Sequence, residues 1–119
     1  MADEVDRPQD IIKAVRHKEQ VVVLELAGEI DMKCSVQLRK KFIELFGNKP
    51  PVLIVNMSEV EFMDSSGLGT LVEALKWSRQ NESELKLVGL TQSVRNVFEI
   101  SRLQHIFQIY DSEAEALSQ

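Results

Sequence analysis

At 119 residues the chain has the length of one domain and can build a core without disulfide or metal staples. Its 44% hydrophobic and 28% charged residues are globular proportions and exclude a disordered chain. Fourteen Lys and Arg against nineteen Asp and Glu leave a formal charge of −5, which excludes the basic footprint required by nucleic acid or an anionic membrane surface.

Residues 1–10 are acidic, contain Pro8 and read as a flexible N-terminal arm. They hold no apolar h-region, so no signal peptide is expected and the protein reads as cytoplasmic. Ile11–Arg16 and Val21–Ala27 are β-rich runs on either side of His17-Lys18-Glu19-Gln20, a pattern that predicts an antiparallel hairpin with a four-residue loop. Beyond Gly28 the apolar period changes. Cys34, Leu38, Phe42 and Leu45 recur at helical spacing and mark one stripe of a helix, on which Cys34 is a small buried hydrophobe. Val36 and Ile43 fall opposite that stripe, and Arg39, Lys40, Lys41 and Glu44 read as a solvated face. Gly47-Asn48 and Pro50-Pro51 end the helix.

Val52–Val55 is a short apolar run between turn formers and predicts a central strand. A helix over Ser66–Gln80 follows on the stripe Leu68, Leu71, Val72 and Leu75, with Thr70, Glu73 and Trp77 off it and Trp77 partly exposed. Leu85–Val88 is the next strand, stopped by Gly89. Gln92–Arg102 is a helix carrying Val94, Val97 and Phe98, Phe107–Ile109 a last strand, and Ser112–Leu117 a last helix. No apolar run approaches the roughly 18 residues of a membrane span. The order β-β-α-β-α-β-α-β-α predicts an α/β fold: a mixed, mostly parallel sheet of four to five strands with about four helices and an N-terminal β-hairpin.

In such sheets, function gathers where strands end and helices begin. The junction Glu61-Phe62-Met63-Asp64-Ser65-Ser66-Gly67-Leu68-Gly69 stands out. Asp64, Ser65 and Ser66 are all good N-cap residues. Gly67 and Gly69 in a first helical turn each cost about 1 kcal/mol relative to Ala, so close approach by another backbone or a partner's surface is expected to offset them. No enzyme motif fits. The third glycine of a dinucleotide fingerprint is replaced by Val72, a phosphate loop is absent, and neither serine has the glycine two residues upstream that a nucleophile elbow needs. His17 and His105 are isolated, and one cysteine gives neither an internal disulfide nor a metal cage. No metal, cofactor or catalytic residue is expected, and the chain does not read as an enzyme.

Met63-Asp64-Ser65-Ser66-Gly67-Leu68-Gly69 resembles the signature of the anti-sigma factor antagonists, small single-domain members of the STAS family. Gly28-Glu29-Ile30-Asp31 is similar to the same family's Gly-Glu-(Leu/Ile)-Asp element, and the likeness covers about residues 11–117. It implies a STAS-type domain over residues 11–119 and a partner-switching function. Ser65 maps onto the serine that an anti-sigma factor serine kinase phosphorylates. The unphosphorylated form binds that kinase and releases the sigma factor, and a metal-dependent serine phosphatase resets the switch. Asp31, Met32, Met63, Asp64, Ser66, Gly67, Leu68 and Gly69 are the implied partner-binding residues, on a monomer or weak dimer. A phosphate on Ser65 is expected to find free N–H groups at the helix start, on a face already acidic with Asp31, Glu61 and Asp64. The resemblance also admits a second role, as a regulatory or scaffold subunit of a transport system or signalling assembly that lacks an anti-sigma kinase.

Overall fold

Residues 10–119 are described by the structure, a computed structural model. Except for Asp10, the N-terminal arm lies outside these residues. The opening β-rich runs become β1 (Ile12–Lys18) and β2 (Val21–Ile30), paired antiparallel. Their loop is shorter than the sequence predicts. His17 and Lys18 continue the ladder opposite Val22 and Val21, which leaves Glu19-Gln20 as the turn. Glu19 takes φ 57°, the left-handed conformation that so tight a hairpin requires.

The chain then alternates helix and strand: α1 (Met32–Gly47), β3 (Val52–Met63), α2 (Ser65–Gln80), β4 (Glu84–Val88), α3 (Gln92–Ile100), β5 (Gln108–Tyr110) and α4 (Glu113–Leu117). The five strands lie in the order β1-β2-β3-β4-β5, with every pair after the first parallel. Side chains alternate across the sheet. One face carries Val22, Leu24, Leu26, Leu53, Val55, Leu85 and Leu87 into the main core, where α1 contributes Leu38, Phe42, Leu45 and Phe46, α2 Leu68, Leu71 and Leu75, and α3 Val94 and Phe98. The other face has a small core of Val23, Ile54 and Val88 closed by Ala116 of α4.

Three further expectations need correction. The strand foreseen at Val52–Val55 runs on to Met63, because β2 continues to Ile30 and pairs with its tail. That tail, Ser58-Glu59-Val60-Glu61-Phe62, lacks the apolar run that marks a strand and is held by its neighbour. Thr70 is buried rather than off the core stripe, with its hydroxyl donating to the Ser66 carbonyl at 3.0 Å. The helix foreseen to Arg102 stops at Ile100, and Arg102 reverses the chain at φ 58°. Trp77 and Val72 are half-buried and pack against the main core, while Val36 and Ile43 are exposed. No helix among the described residues is long and apolar enough to cross a membrane.

Glu19, Lys49, Glu82 and Arg102 all adopt positive φ, and each lies in the connection that leads into the next strand. Parallel strands β2 to β5 start at that end of the sheet and finish at the other. At the finishing end lie the junctions β2–α1, β3–α2 and β4–α3.

Candidate functional site

Beyond Asn56 the third strand has no pairing with β4, and its tail pairs only with the tail of β2. Ile30 and Met63 end these tails in register, so the next residues, Asp31 and Asp64, stand at neighbouring junctions. A backbone bond from Asp64 N–H to the Ile30 carbonyl, 3.2 Å, ties the junctions together. Each aspartate is the N-cap of the helix that follows. Short carboxylates suit that position because they accept from N–H groups left without helical partners. Asp31 Oδ1 accepts from the amides of Lys33 (2.9 Å) and Cys34 (3.3 Å). Asp64 Oδ1 accepts from the amides of Ser66 (3.0 Å) and Gly67 (3.2 Å), and from the Ser66 hydroxyl at 2.6 Å. The Ser66 hydroxyl bond does most to hold the Asp64 carboxyl below its ordinary range. The amides of Gly67, Ser66 and Met32 add to this against a smaller opposing effect of burial.

The two adjacent serines therefore differ. Ser66 is half-buried and its hydroxyl is taken by Asp64, whereas Ser65 is exposed and its hydroxyl makes no hydrogen bond among the described residues. Of the three cap candidates in the sequence, the fold uses Asp64 and leaves Ser65 as the first helical residue.

The two glycines also part company. A Cβ on Gly67 would meet Ile30 Cγ2 at 2.8 Å, Met63 Cγ at 2.9 Å and the Ile30 carbonyl at 3.0 Å. Only glycine lets α2 start this close to the end of β2, which is the backbone approach its cost requires. Gly69 is exposed, and a Cβ there would meet nothing within 4 Å.

Of the predicted contact residues, Asp31, Met32, Asp64, Ser66 and Gly69 reach the surface, Met32 at 74% exposure. Met63 and Leu68 do not. At 1% and 5% exposure they fill the core beneath the junction, so their side chains are not free to touch a partner. Gly67 is buried with them. Phe62, 46% exposed beside the junction, is the surface residue that sequence reasoning missed. Its signal was an aromatic in a stretch read as a connection rather than a strand. The β4–α3 junction joins the same end: Thr91 donates to the Val60 carbonyl at 3.0 Å and Ser93 to that of Glu61 at 2.7 Å. Cys34 lies at the base of α1, where burial does most to push its thiol pKa up, the opposite of what a nucleophile needs. Among the described residues no three His, Cys, Asp or Glu side chains converge as a metal cage would.

This arrangement holds an exposed hydroxyl at a helix start between two capping carboxylates. Residues 13–116 match the STAS domain. The chain belongs to the STAS family. A curated STAS relative, the anti-sigma-B factor antagonist of Listeria monocytogenes, is 38% identical over 91 residues, which cover 76% of this chain and 79% of the relative. The anti-sigma-B factor antagonist of Bacillus subtilis is 32% identical, covering 80% of this chain and 86% of its own. Among solved structures, SpoIIAA, an anti-sigma factor antagonist, superposes in its unphosphorylated form with a TM-score of 0.75 at 26% identity, over 87% of this chain and 91% of that one. The STAS signature residues therefore sit on a STAS fold, at the end of the sheet where its two motif-bearing strands finish side by side.

Proposed function

We propose that this protein is an anti-sigma factor antagonist that works by partner switching, with Ser65 as its phosphoacceptor. In its unphosphorylated form it binds an anti-sigma factor serine kinase and so releases the sigma factor. The kinase transfers the γ-phosphoryl group of ATP to Ser65 Oγ, ADP departs, and the modified chain lets go. A metal-dependent serine phosphatase removes the phosphate as inorganic phosphate and restores binding. On this reading the protein is the substrate of two enzymes and not itself an enzyme.

The observation that carries the proposal is the contrast between the two hydroxyls. Ser66 is held by Asp64 at 2.6 Å, and Ser65 stands exposed and unengaged. A kinase can reach one of them without breaking a bond. The free amides expected to receive the phosphate are not free, because those of Ser66 and Gly67 are already given to Asp64. The phosphate, about −1.5 to −2 charges, therefore projects from the surface beside two carboxylates, where a docked partner would have to desolvate it. A hundredfold loss of affinity needs only about 2.7 kcal/mol. Asp31, Met32, Asp64, Ser66 and Gly69 are the accessible parts of the contact surface.

Incubation with the cognate kinase and ATP, followed by peptide mapping, tests the assignment. Phosphate is expected on Ser65 in the native chain and in Ser66→Ala, and absent in Ser65→Ala, which should bind the kinase and never be switched off. Ser65→Asp should bind more weakly than the native chain. Phosphate on Ser66 would overturn the site, and phosphate on neither, with the kinase active on another substrate, would favour the scaffold role.

A further inference from the structure

Where β3 leaves β4, a chain of polar contacts joins the tail that carries Ser65 to the opposite face of the sheet. Asn56 is the last β3 residue paired with both neighbours. Immediately beyond it the register slips. Glu25 and Ala27 of β2 face Asn56 and Glu59 of β3, so β3 carries one extra residue, a bulge at Met57-Ser58. The Asn56 side chain fastens this bulge, its Oδ1 accepting from the Ser58 amide at 3.0 Å and from the Ser58 hydroxyl at 2.8 Å.

The other end of the same amide is held from across the sheet. Asn56 Nδ2 donates to Glu113 Oε2 of α4 at 2.6 Å, and that oxygen also accepts from Arg16 of β1 at 2.6 Å. A carboxylate can only accept, so it claims the NH₂ end of the amide and leaves the oxygen for Ser58. Burial pushes the Glu113 carboxyl up, but the hydrogen bonds from Arg16 and Asn56 and the charges of Arg16 and Lys18 outweigh it, and the group stays below its ordinary range.

We propose that Glu113 is a positioning residue for the Ser65 site: by orienting the Asn56 amide it fixes the bulge from which the tail of β3 runs to Asp64 and Ser65. The importance of Ser65 rests on the partner-switching reading, whereas the coupling from α4 to the tail does not. A bulge re-aims everything that follows it on its strand. Seating of α4 on one face of the sheet thereby sets the direction of the junction at its end.

Amide hydrogen exchange on the protein alone reads this coupling. In Glu113→Ala the amides of residues 58–63 should exchange about tenfold faster, most strongly at Ser58 and Glu59, as expected when a charge-assisted hydrogen bond is lost. Glu113→Gln keeps an acceptor but no longer enforces the amide's orientation, and about a threefold increase is expected. Arg16→Met removes an ion pair from the same carboxylate yet leaves Asn56 its acceptor, so α4 should loosen while the tail keeps its native rate. With the cognate kinase, kcat/KM for Ser65 should fall in the same order across the three variants. An unchanged tail in Glu113→Ala, equal acceleration of every strand, or an Arg16→Met tail as fast as that of Glu113→Ala would each overturn the inference. Should Glu113→Ala not fold, Glu113→Gln against Arg16→Met carries the same comparison. A native chain that no kinase labels would sink the partner-switching reading and leave the exchange result standing.

Discussion

Ser65 and Ser66 carry the same hydroxyl one position apart, and a single hydrogen bond makes them chemically different. Removing that bond should be visible at Asp64. In Ser66→Ala the carboxyl loses the largest of the effects that hold its pKa down, so it should titrate at higher pH than in the native chain, read from its side-chain carbon resonance by NMR. The sign for stability follows. A carboxyl depressed in the folded state stabilises above its unfolded pKa, about 3.9, and that contribution is lost as pH falls through the folded value. Ser66→Ala should therefore narrow the acid stability of the protein. Asp31 allows a cleaner separation of cap from contact. Asp31→Ala removes the acceptor for two amides and should cost about 1 kcal/mol, whereas Asp31→Asn keeps an oxygen in place and removes only the charge. Thermal melts should show the loss in the first variant alone. Partner titrations should show weakened binding in both, and native affinity in Asp31→Asn would end the contact role of the charge.

Among elements, the start of α2 is the most constrained. Gly67→Ala gains helix propensity but forces a methyl against Ile30 and Met63, and a net loss of about 1–3 kcal/mol is expected. Gly69→Ala meets open space and should be neutral or stabilising by up to about 1 kcal/mol. Denaturant titration distinguishes the two, and reduced kinase affinity in Gly69→Ala would mark that glycine as a place where a partner comes close. The helices were legible because their signals are local: the stripe of Cys34, Leu38, Phe42 and Leu45 is the buried face of α1 as observed. The tail of β3 was not. Its strand character comes from pairing with residues more than thirty positions away, and no window on Ser58–Phe62 contains that information. The same gap hid the exposure of Phe62 and the burial of Met63, since which face a strand residue takes depends on a bulge that only the partner strand reveals. Thr70 was misplaced for a related reason. Its hydroxyl is satisfied within its own helix, so a polar residue enters the core at little cost.

Across the whole molecule the sheet is covered unequally, by three helices on one face and one short helix on the other. The main core should dominate stability. Phe42→Ala, at a fully buried position, should cost about 3–5 kcal/mol, whereas Ala116→Gly beneath α4 should cost about 1 kcal/mol, both measured by denaturant unfolding. The two ends of the sheet also differ in kind. The chemistry lies where the parallel strands finish, and all four left-handed non-glycine residues lie where strands begin. That polarity leaves a natural handle for engineering and for evolutionary drift. Loops at Glu19, Lys49 and Glu82 can lengthen, accept a tag or anchor the protein to a surface, and the phosphoacceptor will still face outward on the far side.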